Sequence, residues 1–276
     1  MKFLSRGFLA AALAALMMVP VVPAVADRGD DDGGHHDRFS ALIFSKTAAF
    51  RHDECIPQGT VAIAQASVRR GFSVDATENA GAFTDENLAK YDVVIFLCTT
   101  GDVLNDTQQA AFERYIRAGG GYAGIHSASD TEYDWAWYGG LVGAYFRDHP
   151  GSVNQQFQTA TVNVEDRQSA ATRRLPRRWV REEEWYNFRT NPRDAVHVLA
   201  SVDESTYDPR GYSVPGGSPP MGDHPIAWCH PYDGGRACLM RMSLGLLILF
   251  ALATTLPCIG LWLADERARL EAARPS

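Results

Sequence analysis

The chain has no surplus of positive charge. Its 26 Lys and Arg stand against 33 Asp and Glu, a formal net charge of −7 over 276 residues. A surface of that sign repels phosphate backbones, which excludes nucleic acid as a partner. There is no HExxH or other tight ligand spacing, so any metal centre must be assembled from segments far apart in sequence. There is no G-x-S-x-G element, which excludes the elbow serine of α/β-hydrolases. Cysteine is scarce and odd in number, five in all, so at least one thiol is free or pairs with another molecule. A disorder-type composition is absent too: 46% of residues are hydrophobic, ordinary for a globular chain of one good-sized domain or two small ones.

The two ends carry the long apolar runs. Residues 1–26 have a basic start (Lys2, Arg6), an apolar core from Phe8 to Val19 and an Ala24-Val25-Ala26 exit, the layout of a secretory signal cleaved after Ala26. The expected location is therefore secreted or extracytoplasmic, and cleavage makes the chain still more acidic. Residues 27–38 read as a polar linker, in which His35 and His36 belong to a solvated tail. At the other end, 241–276 form an atypical tail. Ser243 to Ala264 carries no charge over about the length that crosses a bilayer, a candidate membrane anchor or a segment foreign to the domain.

Between these ends, 39–240 form the folded domain. Ala41–Phe44, Phe72–Thr77, Val93–Leu97 and Tyr122–Ile125 read as near-continuous apolar strands. Helices are expected from about Pro57 to Arg70, with Val61, Ala64 and Val68 on the inner face, and from Asn105 to the Gly119–Gly121 break, with Phe112, Tyr115 and Ile116 inward. Repeated βα units of this kind imply a parallel sheet covered on both faces, with ligands at the strand carboxyl ends. Farther on, strands are expected at Val153–Val164, Val196–Val202 and Ile226–His230. The long Pro/Gly-rich loop that leads to His224 is either a lid or mobile. If Asp233-Gly234 is a two-residue type I′ turn, Cys229 faces Cys238 at a non-hydrogen-bonded site where a cross-strand disulfide fits. Cys98 closes a buried strand and reads as an inert thiol.

One short stretch asks a chemical question. GGGYAGIHSASD, Gly119 to Asp130, places glycines, an apolar strand and a bend of small residues where α/β hydrolases expose a serine or cysteine. The exposed position here is His126. His52, in FRHDE, also follows a strand, so the two can converge at the sheet's carboxyl edge.

The segments FRHDECI, GGGYAGIHSASDTEYDWAWYGGLVGAYFRDHP, EEEWYNF and HPIAWCHPYDGGRA, spread over about Phe39 to Ala237, resemble the ThuA-like (trehalose utilisation) domain of the class I glutamine amidotransferase-like superfamily. The resemblance implies an α/β, flavodoxin-like three-layer sandwich with a mostly parallel central sheet. It also implies a small-molecule carbohydrate, a disaccharide or keto-sugar, as the substrate. The elbow cysteine of the amidotransferase relatives is replaced by His126, and imidazole cannot carry their thioester chemistry, so glutamine hydrolysis is excluded.

Two roles then remain for His126. With His52, His224 and a carboxylate from Glu183 or Glu184 it makes a site for a divalent metal such as zinc. Alternatively it is a general base beside Glu184, with His52 as the third catalytic residue. Among the aromatics, Trp185 and Tyr186, next to the acids, are the expected sugar-stacking pair, with His149 as a further substrate contact. The chain departs from the family pattern after Ala237, where a further strand and a G-H motif are expected, and loss of that strand would expose a sheet edge. Two function classes follow: a hydrolase or isomerase acting on sugars, or a noncatalytic carbohydrate-binding or surface module that kept the pocket.

Overall fold

A computed structural model describes residues 39–151, 155–212 and 217–240. The expected secretory signal, the polar linker and the whole C-terminal tail, Cys258 included, fall outside them. Among the described residues no helix is long and apolar enough to cross a membrane.

The first half alternates strands and helices as the apolar pattern predicts. β1 (Ser40–Phe44) leads to α1 (Cys55–Arg70), β2 (Ser73–Thr77), the short α2 (Asp85–Leu88), β3 (Val93–Leu97), α3 (Asp106–Arg117) and β4 (Gly121–Ile125). α3 starts on a capping box in which Asn105 and Gln108 satisfy each other's backbone N–H groups. α1 ends on Gly71 in the left-handed region. The inner face of α1 differs from the expectation. Ala62, Ile63 and Ala66 are buried, while Val61 and Val68 face outward. Small residues let the helix approach a sheet already crowded with Ile43 and Ile95.

The second half holds α4 (Ala136–Val142), β5 (Phe146–Asp148), β6 (Phe157–Val164), β7 (Arg178–Glu184), β8 (Asn187–Phe188), β9 (His197–Asp203), β10 (Pro225–Tyr232) and β11 (Gly235–Met240). One nine-stranded sheet runs in the order β2-β1-β3-β4-β11-β10-β9-β6-β7. β2, β1, β3, β4 and β11 are mutually parallel, and the next four strands extend the sheet antiparallel. β5 and β8 form a separate antiparallel pair. Helices and loops cover both faces of the main sheet, giving one apolar core on the α1 side and another on the α3 side.

The hairpin follows the predicted register. Asp233 and Gly234 both have positive φ, Tyr232 pairs with Gly235, and Cys229 opposes Cys238 with α-carbons 4.0 Å apart in a disulfide. Its second strand, β11, lies parallel against β4, so the flank of β4 is paired and the feared open edge does not arise there. Cys98 corrects the expectation of an inert thiol: it is bonded to Cys55, the first residue of α1, with α-carbons 6.5 Å apart.

Candidate functional site

β4 is buried along its whole length and stops at His126, whose φ of 57° lies in the left-handed region that side chains seldom adopt. The reversal turns the chain from the strand into a single 3-10 turn, His126–Ser129. That lifts the imidazole off the carboxyl edge of the sheet, the geometry in which hydrolases present a nucleophile.

His52 comes from the loop after β1, and four ties hold that loop. The Ala48 N–H donates to the Thr100 carbonyl at 2.7 Å, and the Thr100 hydroxyl donates to the Phe50 carbonyl at 2.6 Å. Arg51 clasps Glu78 with two hydrogen bonds of 2.9 and 2.8 Å. The Cys55–Cys98 disulfide then fastens the start of α1 to the end of β3. The result is His52 Nδ1 at 3.3 Å from His126 Nε2, with the rings edge to face at 4.3 Å.

The third group arrives from the far edge of the sheet. β7 alternates, so Glu184 and Glu183 point to opposite faces. Glu184 Oε2 lies 3.3 Å from His126 Nε2. Glu183 is buried beside Arg181 at 2.7 Å, which resolves the choice between the two acids in favour of Glu184. His52, His126 and Glu184 each offer one ligand atom, all within 4.8 Å of one another. His149, just after β5, braces this group: its Nε2 is 3.4 Å from Glu184 Oε1, and its Nδ1 is 3.0 Å from the Trp185 carbonyl. A carbonyl and a carboxylate both only accept, so the two contacts together need an N–H on each ring nitrogen, and His149 braces Glu184 as the imidazolium.

A family profile described as trehalose utilisation, ThuA, matches residues 40–243. The chain belongs to the ThuA family. This ThuA domain is similar in fold to a thua-like protein from Bacteroides uniformis, with 24% identity, a TM-score of 0.61, and 81% of this chain and 94% of that one covered. A thua-like protein from Parabacteroides merdae is similar at 16% identity and a TM-score of 0.59, covering 78% and 88% of the two chains. No curated protein matches the chain.

Two expected residues lie apart from the group in this ThuA domain. His224 has Nδ1 at 2.9 Å from Glu204 and 3.0 Å from the Tyr207 hydroxyl, and Nε2 at 2.8 Å from the Tyr186 carbonyl. Both ring nitrogens are committed, and the residue is a buried tie between the long loop and the chain after β7. Burial pushes the Glu204 carboxyl up, but hydrogen bonds from His224 and from the Gly222 and Met221 N–H groups outweigh it and hold it below the usual range. Trp185 is fully buried on the other face of the strand, donates to the Gln158 carbonyl at 2.8 Å and packs on Tyr207. Period-2 alternation sends it into the core while Tyr186 turns to the site, its ring 5.5 Å from His126 and 4.7 Å from His149.

Sequence reasoning also missed residues. Asp130 ends the His126 turn, its N–H on the Ser127 carbonyl and its carboxyl accepting the Tyr133 hydroxyl at 2.5 Å. Burial pushes its carboxyl up; the bond from Tyr133 and the charge of Arg189 oppose this, and the negative charge of Glu184 adds to it. It stands four residues after His126 in the singled-out stretch, and that spacing was the available signal. The long loop reaches the site through Tyr212, whose ring stacks on His149 at 6.3 Å. Gly211 beside it pairs with Pro150 and Ser218, and a Cβ there would run into Asp148 and the Ser218 hydroxyl. Asp148 is buried and accepts from Asn187 and Ser218, so the described part of the loop is strapped to β5 and β8. No pattern in the sequence announced that contact.

Proposed function

We propose that this chain is an exported ThuA-family enzyme that acts on a carbohydrate, with His52, His126 and Glu184 holding a divalent ion such as zinc. The observation that carries the reading is a pair of distances. Ligands at ~2.05 Å in a tetrahedron stand about 3.3 Å apart, and His126 Nε2 is 3.3 Å from both His52 Nδ1 and Glu184 Oε2. His52, on a loop and half-buried, is the ligand with room to adjust.

Two imidazoles and one carboxylate leave a position open for water or a sugar oxygen, the pattern of catalytic rather than structural zinc sites. Such an ion acidifies a bound water or polarises a carbonyl. The protein's own groups do the rest. His149 orients Glu184. Asp130 closes the His126 turn and takes the Tyr133 hydroxyl, which fixes the backbone that presents His126. The signal-like N-terminal sequence, the family's trehalose-utilisation description and the unsuitability of His126 for thioester chemistry support a sugar-directed role.

Metal content of the purified chain by mass spectrometry tests the reading. Near-stoichiometric metal is expected in the wild type, lost in His126→Ala and His52→Ala and retained in His224→Ala, since His224 is committed elsewhere. Folded wild-type protein that takes up no zinc on dialysis against it sinks the metal reading and leaves His126 as an acid–base residue.

A further inference from the structure

Sugar-binding clefts need an aromatic face open to solvent, because the C–H face of a pyranose packs on a ring. The tryptophans nearest the site do not provide one. Trp185 and Trp228 are fully buried and Trp135 nearly so, and Tyr186 is 2% exposed beneath the histidines. Among the described residues the exposed large hydrophobics are three valines and two phenylalanines, Phe50 at 68% and Phe157 at 58%. Val61 and Val68 lie on the outer face of α1 and Val180 lies on β7.

Both phenylalanines are at the site. Phe50 sits edge to face on His52, with ring centroids 4.9 Å apart. Phe157 opens β6 as the cross-strand partner of Glu184, and directly opposed residues in an antiparallel pair project from the same face. His126 Nε2 lies 3.3 Å from His52 on one side and 3.3 Å from Glu184 on the other, so one phenylalanine flanks each arm of the group. A lone exposed phenylalanine needs no explanation. Two of them, one from the loop after β1 and one from the start of β6, beside two members of one polar triad, form an apolar rim around a polar centre. Glu184 stays buried despite its exposed partner, so the polarity is at the bottom and the apolar surface at the mouth. That distribution matches a pyranose, whose equatorial hydroxyls point sideways and whose ring faces are apolar.

We propose that Phe50 and Phe157 are the two aromatic walls of the substrate cleft, taking the ring faces of a pyranose whose reacting oxygen points at His126. The proposal rests on the carbohydrate reading above and names the residues that select a cyclic sugar. Neither phenylalanine touches the reacting atoms; they set affinity and ring preference.

The test is calorimetric titration with trehalose, with methyl α-D-glucopyranoside and with sorbitol, which has the hydroxyls but no ring face. Wild-type protein is expected to bind the two cyclic sugars more tightly than sorbitol. Phe50→Ala and Phe157→Ala should each weaken the cyclic sugars about ten-fold and leave sorbitol unchanged, with Phe→Leu intermediate and Phe→Trp restoring affinity. Because both side chains are exposed, melting temperatures should stay within about 2 °C of wild type, which guards against an unfolded variant. Unchanged affinity for the cyclic sugars in both alanine variants overturns the walls while leaving the carbohydrate reading intact. A wild-type protein that binds neither cyclic sugar overturns both.

Discussion

In the parallel half of the sheet β3 and β4 are buried at every position and β1 at all but its first. At the antiparallel edge of the sheet β6 and β7 begin by alternating between exposed and half-buried positions and become buried only toward their ends. The first pattern belongs to strands covered on both faces, the second to strands at the sheet's edge with one side toward solvent. The halves contribute to the site in correspondingly different ways. The parallel half presents both histidines from its carboxyl edge, His126 at the end of β4 and His52 on the tied loop after β1. The antiparallel half must bring Glu184 in from the edge strand, and it depends on alternation, on His149 and on the strapped loop. A function built on this seam should respond differently when each half is damaged.

The largest effect is expected from Trp185→Ala, which empties a fully buried position behind Glu184 and should cost about 3–5 kcal/mol in urea unfolding. A loss below ~1 kcal/mol would mean the antiparallel half is not packed as one core with the parallel half. Next come the two disulfides, one within the parallel half and one across the seam, joining β10 to β11. The Cys55–Cys98 link closes 43 residues and the Cys229–Cys238 link 9, so chain-entropy arguments give about 4 and about 3 kcal/mol respectively. Peptide mapping without reductant checks both links, and paired serine variants check the ranking.

His149→Gln sharpens the comparison more gently. It removes the brace on Glu184 without removing a ligand, and the zinc affinity should fall roughly ten-fold with little change in melting temperature. Equal affinity would show that Glu184 is positioned by its strand alone.

The smallest effect concerns Arg193, which lies in the connection before β9 and bonds Glu165 and Asp223. Hydrogen bonds from Arg193 hold both carboxyls below their usual range. A lowered folded-state pKa stabilises above the unfolded value and is lost as pH falls through the folded one. Arg193→Ala should therefore destabilise by under about 1 kcal/mol at pH 7, the groups being partly exposed. The gap to wild type should close as pH drops below ~4. A gap that persists at pH 2 would assign the effect to lost packing.

Legibility followed the same divide. The strands of the parallel half, the α3 cap and the hairpin register could be read because each is set by neighbours in sequence: an apolar run, an Asn-x-x-Gln box, an Asp-Gly turn. The inner face of α1 could not, because valine and alanine compete for it and the answer depends on how closely the helix must approach the sheet. His52, His126 and Glu184 were legible as candidates, His52 and His126 from their strand-end positions. Trp185 and His224 could not be separated from them. A one-residue step along a strand moves a side chain from site to core, and a histidine's partners are invisible until the loop that supplies Glu204 is in place.

By itself, then, the sequence determined the alternating βα frame, the hairpin that opposes Cys229 and Cys238, and the absence of an elbow nucleophile at His126, because these follow from local periodicity and turn chemistry. Tertiary structure alone decided that Glu184 rather than Glu183 meets the histidines, that Cys98 is bonded to Cys55, and that Phe50 and Phe157 remain open to solvent. Each of these depends on which distant segments pack together, and burial and charge pairing act through space with no regard for separation along the chain.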